Sequence, residues 1–279
     1  MKSTLLIFLS LCSITLQAQY YYRDIIGTEK TNRQMKTYLN NKVQKVSSIG
    51  MDPSGRPNTE FSELQEVKEN GLGLKVTTRN TGSLNIFYNR FDPSGRLISI
   101  EDSSSDIQST TTYIYDAMGR ISIVRNSIRD TANDFTQTES HNWIYGANGK
   151  PSGMWRIINN TDSLEIRFVP DSSGNVGDEK TMKHGLETGV IYYYYDNRNR
   201  LTDIVRYNTK AKKLLPDIMF EYDDQDHVIQ EITTTSSLNL NYLIWRYAFN
   251  DKGLKTKEAL FNNDKEMTGK IEYTYTFGQ

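Results

Sequence analysis

The feature that most constrains this chain is a tetrad that keeps returning: an acidic or amide residue, two variable residues, then a glycine. Asp52-Pro53-Ser54-Gly55 and Asp92-Pro93-Ser94-Gly95 are identical, and Asp116-Ala117-Met118-Gly119 follows the same plan. Weaker copies begin at Gly146, Asp171, Asp196, Asp223 and Asn250. A type I turn favours Asp first and Pro second, and it closes into a hairpin when the fourth residue can turn left-handed, as Gly does at low cost. Where Gly is missing the substitutes are Asn199 and Asp226, the residue types that tolerate this geometry best after Gly. The tetrads therefore read as chain reversals recurring about every 25 residues. Only the interval from Asp52 to Asp92 is long enough to hide another copy.

The segments between the tetrads read as strands. Tyr192 to Tyr195, Leu240 to Phe249 and Ile271 to Tyr275 are rich in β-branched and aromatic residues that alternate with period two. Connections on the opposite edge are expected at Ser103–Asp106, Asp130–Asp134, Asn159–Ser163, Lys183–Thr188 and Asn262–Lys265. The expected fold is all-β: an antiparallel meander of tandem β-hairpin repeats, about 14–16 strands, forming one large twisted and curved sheet, open or partly wrapped. Thr28 to Leu39 lacks alternation and is expected as a short N-terminal helix capped by Thr28, with Ile25, Ile26, Met35 and Leu39 along one side, covering an edge strand.

Ahead of the repeats, Lys2, the apolar run Leu5–Leu16 and the small residue Ala18 have the form of a cleavable secretory signal. This divides the chain into a signal peptide (1–18), a cap segment (19–49) and a repeat domain (50–279). It also places the protein outside the cytoplasm, in the periplasm, at the cell surface or beyond. The single cysteine, Cys12, falls in the discarded segment, so neither disulfides nor thiol chemistry are expected. Of 33 basic and 34 acidic residues, cleavage removes only Lys2, leaving 32 against 34. These charges are scattered without a basic stripe, so nucleic acid is not an expected partner. A membrane-spanning barrel would need one clean lipid-facing side per strand. Val176–Lys183 has Asp178 and Lys180 on one face and Glu179 and Lys183 on the other, so the chain is not expected to span a membrane.

The residues Phe91–Leu97, Tyr115–Ile121 and Tyr195–Thr202 resemble the YD repeat, also called the RHS repeat, whose unit reads approximately Tyr-Asp-x-x-Gly-Arg-Leu-Thr. The resemblance covers about residues 50–279. It implies long antiparallel sheets that can wrap into a shell, in exported or surface proteins linked to toxin delivery, adhesion or carbohydrate binding. No toxin domain follows the repeats within this sequence.

Catalytic motifs are absent from the sequence: there is no HExxH, Walker loop, dinucleotide fingerprint or Gly-x-Ser-x-Gly elbow. Asp223, Asp224 and Asp226 lack the spacing of a calcium loop and are better explained as turn residues. Asp92, Asp116, Asp171 and Asp196 recur at turn corners, about 10 Å apart along the sheet, rather than as an acid/base pair. No cofactor or metal is expected. Tyr113, Tyr145, Tyr193, Tyr195, Tyr222 and Phe249 share the packed parity, which leaves Tyr192 and Tyr194 on the other face. Those two tyrosines, with His141 and Trp143, are the candidate ligand-binding residues, for a glycan or an envelope protein. The expectation is a non-enzymatic binding or scaffolding protein. The alternatives are a hydrolase of envelope polysaccharide or peptide, which should show a deep pocket holding two carboxylates or His141 hydrogen-bonded to a carboxylate, and an accessory to a toxin or secretion system.

Overall fold

A computed structural model describes residues 20–103, 107–234 and 241–278. The segment read as a signal peptide lies outside the described residues. A helix, α1 (Arg23–Asn40), precedes eighteen strands. They are β1 (Val43–Met51), β2 (Pro57–Lys68), β3 (Gly73–Asn80), β4 (Ser83–Phe91), β5 (Leu97–Asp102), β6 (Ile107–Tyr115), β7 (Ile121–Asp130), β8 (Phe135–Tyr145) and β9 (Pro151–Ile158). The chain continues through β10 (Asp162–Pro170), β11 (Val176–Lys183), β12 (Leu186–Tyr195), β13 (Leu201–Asn208) and β14 (Lys213–Tyr222). It finishes with β15 (Val228–Thr234), β16 (Tyr242–Phe249), β17 (Lys255–Phe261) and β18 (Met267–Phe277).

Every strand pairs antiparallel with its neighbours in sequence. The sheet does not stay open. β18 returns to β1 in a ladder running from Val43/Phe277 to Met51/Lys270, and the meander closes into an 18-stranded barrel. This corrects the expectation of an open or partly wrapped sheet. Accumulated strand twist brings the ends together, and pairing them satisfies two edges that would otherwise expose unpaired N–H and C=O groups. Most of β1 lies within the segment read as a cap, and its last two residues lie beyond it.

The turns behave as their chemistry demands. At Asp92 the carboxylate Oδ1 accepts the N–H groups of Ser94 and Arg96 at 2.9 and 3.0 Å, and Gly95 donates to the Asp92 carbonyl. Gly95 has φ +79°, and the glycine substitutes Asn199 and Asp226 have φ +59° and +66°. Seven such turns, from Asp92 to Asn250, lie at one rim. The Asp52 turn, with the same four residues as Asp92, lies at the other rim, because the long interval holds two reversals, at Glu69–Leu72 and Thr81–Gly82.

Where an arginine follows a turn of the seven-turn rim, the repeat grips the next. The Asp Oδ2 accepts from the Nε of the arginine four residues on, at Asp92/Arg96, Asp116/Arg120 and Asp196/Arg200. That guanidinium then lies over the aromatic ring one repeat further along: Arg96 over Tyr115, Arg120 over Tyr145 and Arg200 over Tyr222, at 4.8, 4.2 and 4.8 Å. The tyrosine hydroxyl donates back to the carbonyl just after the previous turn, from Tyr115 to Leu97, Tyr145 to Ile121 and Tyr222 to Leu201. His227 stands where the arginine would be, bonded to Asp223 and stacked on Phe249 at 4.4 Å. The Tyr-Asp-x-x-Gly-Arg unit is therefore a turn plus a clasp.

The helix corrects the expectation twice. It begins five residues before Thr28, whose hydroxyl bonds back to the Asp24 carbonyl inside the first turns and caps nothing. It also covers no edge strand, since the closed barrel has none. Instead it lies across the rim formed by the seven turns. Its eighteen residues span about 27 Å. At one end Tyr21, Ile25 and Ile26 pack with Trp143, Met154, Ile166, Phe168 and Tyr193. At the other, Met35 and Tyr38 pack with Val46, Leu74, Phe91, Leu97 and Leu254. Those wall segments, β8–β12 and β1–β5, face each other across the ring. Leu39, expected on the packed side, is exposed.

Candidate functional site

Beside the apolar cluster, ionised and polar side chains of the wall meet the start of the helix. His141, on β8, is buried between two carboxylates: Nδ1 is 2.6 Å from Asp24 of the helix, and Nε2 is 2.8 Å from Glu139 on its own strand. The second oxygen of Glu139 accepts from Arg156 of β9 at 2.8 Å. Burial alone would pull the imidazole down, but Asp24 and Glu139 outweigh it and raise His141 to about 9. Burial likewise opposes ionisation of Glu139, yet the bonds from His141 and Arg156 hold it down to about 2. The row is an alternation of charges, Asp24, His141, Glu139, Arg156, with the Tyr21 ring set edge-on to the imidazole at 5.3 Å.

Glu179 of β11 is the second anchor. Its carboxylate accepts the backbone N–H groups of Tyr21 and Tyr22 at 2.8 and 2.9 Å and the Tyr193 hydroxyl at 2.7 Å. The helix has no cap from its own side chains, and this carboxylate supplies the negative group its N-terminus favours. Burial pushes Glu179 above the usual carboxylate range despite those three donors. At the far end the Tyr38 hydroxyl donates to Gln65 of β2 at 2.9 Å.

The four candidate residues fall on two sides of one wall. His141 and Trp143 point inward, with Trp143 stacked on Phe168 at 5.2 Å. Tyr192 and Tyr194 lie opposite Asp178 and Asp203 on the outer face, where Tyr194 is 47% exposed. The structure pairs the first two with the helix and does not bring them near the tyrosines. Elsewhere on the wall Ile114 of β6, Ile144 of β8, Trp155 of β9 and Val169 of β10 are also exposed. Trp155 and Ile144 border a shallow depression with Gly153, Glu165 and Arg167. Among the described residues no group of three His, Cys, Asp or Glu side chains is placed to hold a metal ion.

Sequence reasoning missed Asp24, Glu139, Arg156 and Glu179. Alternation gave no signal for Glu179: it shares its parity on β11 with Gly177, Thr181 and Lys183, and the buried Val176 and Met182 have the other parity because the register shifts along this strand.

No family model matches the chain, and no curated protein matches it. Solved structures similar to it include the Tc holotoxin pore of Photorhabdus luminescens, at 12% identity and a TM-score of 0.38, covering 75% of this chain and 12% of that one. The TcdB2-TccC3-Cdc42 structure is similar at 11% identity and a TM-score of 0.37, covering 81% of this chain and 13% of that one. A porin-like protein from Bacteroides uniformis shares 9% identity at a TM-score of 0.38, covering 84% of this chain and 98% of that one. The chain thus spans a small fraction of the two toxin structures and nearly all of the porin-like one. At these scores the likenesses carry no functional argument.

Proposed function

We propose that the chain is an exported, non-enzymatic β-repeat barrel that works as a binding or scaffolding module of the cell envelope. It would meet a glycan or another envelope protein on its outer wall. The observation that carries this reading is the division of labour across the wall. Inside, the hydrogen-bonding groups around His141 and Glu179 hold the helix; outside, the aromatic side chains of Tyr194 and Trp155 stand exposed, Trp155 beside Ile144 in a shallow depression. The turn-and-clasp unit supports kinship with YD repeats. Outward ion pairs such as Arg90–Glu101, Arg167–Glu165 and Lys180–Glu187 occur around the circumference. A lipid-facing belt would not tolerate them, which favours a barrel that does not cross a membrane. A glycan array and an envelope-protein pull-down test the proposal. Binding that Tyr194→Ala and Trp155→Ala abolish supports it, and silence in both assays contradicts it.

One observation speaks for a hydrolase: His141 does hydrogen-bond to carboxylates. A general base must be free to accept a proton near neutral pH. His141, raised to about 9 and facing a carboxylate at each nitrogen, is an imidazolium with no acceptor left. The binding reading is favoured.

A further inference from the structure

At the rim opposite the helix, two neighbouring hairpin tips differ from the rest. β12 pairs with β13, so the β11–β12 and β13–β14 tips stand side by side, about 10 Å apart. The first is a tight turn at His184 and Gly185, both with positive φ, followed by Leu186, which is 72% exposed. The second presents Tyr207 and Leu214, directly paired across the hairpin and 56% and 44% exposed. Lys183 lies on the first tip and Lys210, Lys212 and Lys213 on the second, all four exposed. Among the described residues none of the four makes an ion pair. Glu187, just past the first tip, is held by Lys180 at 3.1 Å. At the helix rim, by contrast, turn charges are paired, Asp92, Asp116 and Asp196 with Arg96, Arg120 and Arg200.

We infer that these two tips form a docking surface for a bilayer carrying anionic headgroups. Exposed Leu and Tyr side chains on a convex tip insert into the headgroup boundary, while lysines beside them attract the negative surface. Neither feature alone selects a lipid. A soluble polyanion has no use for Leu186, the most exposed of the three, and an apolar protein partner has no use for four unpaired lysines. Docking would set the barrel axis roughly upright, with the helix rim facing away from the membrane.

Co-sedimentation of the purified protein with phosphatidylglycerol/phosphatidylcholine vesicles, against phosphatidylcholine alone, tests the inference. Affinity for the anionic vesicles should exceed that for neutral ones by about a hundredfold or more and fall away at about 0.5 M salt. Replacing Lys210, Lys212 and Lys213 with Glu should weaken binding by about a hundredfold or more, since each lysine contributes about fivefold. Leu186→Ser, Tyr207→Ser and Leu214→Ser together should weaken it by about tenfold or more at an unchanged melting temperature. Met118→Ser, at the exposed opposite rim, serves as the control and should change nothing. Equal affinity for neutral vesicles, no binding to either, or full affinity in both sets of variants would overturn the proposal. So would capture of soluble polyglutamate without capture of vesicles.

Discussion

His141 gives the barrel a pH-dependent lock whose sign and size can be worked out. The imidazole is buried between Asp24 and Glu139, and those carboxylates, working against burial, raise it to about 9 from an ordinary 6.5. Because the folded value lies above the unfolded one, the stabilisation is fully present below pH 6.5. It declines above that and is gone once the pH has passed 9. A rise of about 2.5 units corresponds to about 3 kcal/mol. For a chain of this size that is a fall in melting temperature of about 6–12 °C between pH 6.5 and 9.5. Scanning calorimetry across this range should show the fall in the wild type and a nearly flat profile in His141→Gln, which keeps a donor but cannot be charged. The imidazole proton signal should also titrate near 9 by NMR. Equal pH slopes in the two proteins, or a wild type that gains stability as pH rises from 6.5 to 9, would refute the reasoning.

Other perturbations follow from the same contacts. On the acid side, Glu139 is held down to about 2, so its stabilisation should be lost as the pH falls from 4.5 toward 2; an acid melt of Glu139→Gln should lack that phase. Glu179→Ala strands two backbone N–H groups and the buried Tyr193 hydroxyl. It should cost about 3–5 kcal/mol and make residues 20–41 the first site of limited proteolysis. Tyr145→Phe removes only the bond to the Ile121 carbonyl, so a denaturant melt should show a loss of about 1 kcal/mol. Gly95→Ala, at φ +79° with open space around the new methyl, should cost about 1 kcal/mol from backbone strain alone.

What the sequence disclosed is what is local. An Asp that accepts backbone N–H groups two and four residues ahead, and a fourth position forced to positive φ, are properties of five consecutive residues. The turns were readable for that reason, down to the left-handed Asn199 and Asp226. Strand parity was readable as well: Tyr193 is buried inside and Tyr194 exposed outside. Closure was not, because it depends on pairing Val43 with Phe277 at opposite ends of the chain and on a strand count raised by the reversal at Glu69–Leu72. That reversal carries its own local signal, Asn70-Gly71 with both residues at positive φ, but lacks the leading Asp. The site was half legible. His141 and Trp143 share a face as alternation requires, whereas the carboxylate that makes His141 a cation comes from Asp24, 117 residues away. The clasp was not legible either, since the ring partners of Arg96, Arg120 and Arg200 lie in the next hairpin.

The central claim is the seam between the first and last strands. Ser47 and Thr274 are directly opposed across it, and opposed residues of an antiparallel pair have Cα atoms about 4.5–5.5 Å apart, within disulfide reach. In a chain whose only cysteine is Cys12, a Ser47→Cys/Thr274→Cys variant produced without residues 1–18 should oxidise to an intramolecular disulfide. It should remain monomeric and melt higher than its reduced form. Two free thiols under the same mild oxidation, or disulfide-linked dimers in place of the internal bridge, would contradict a closed barrel.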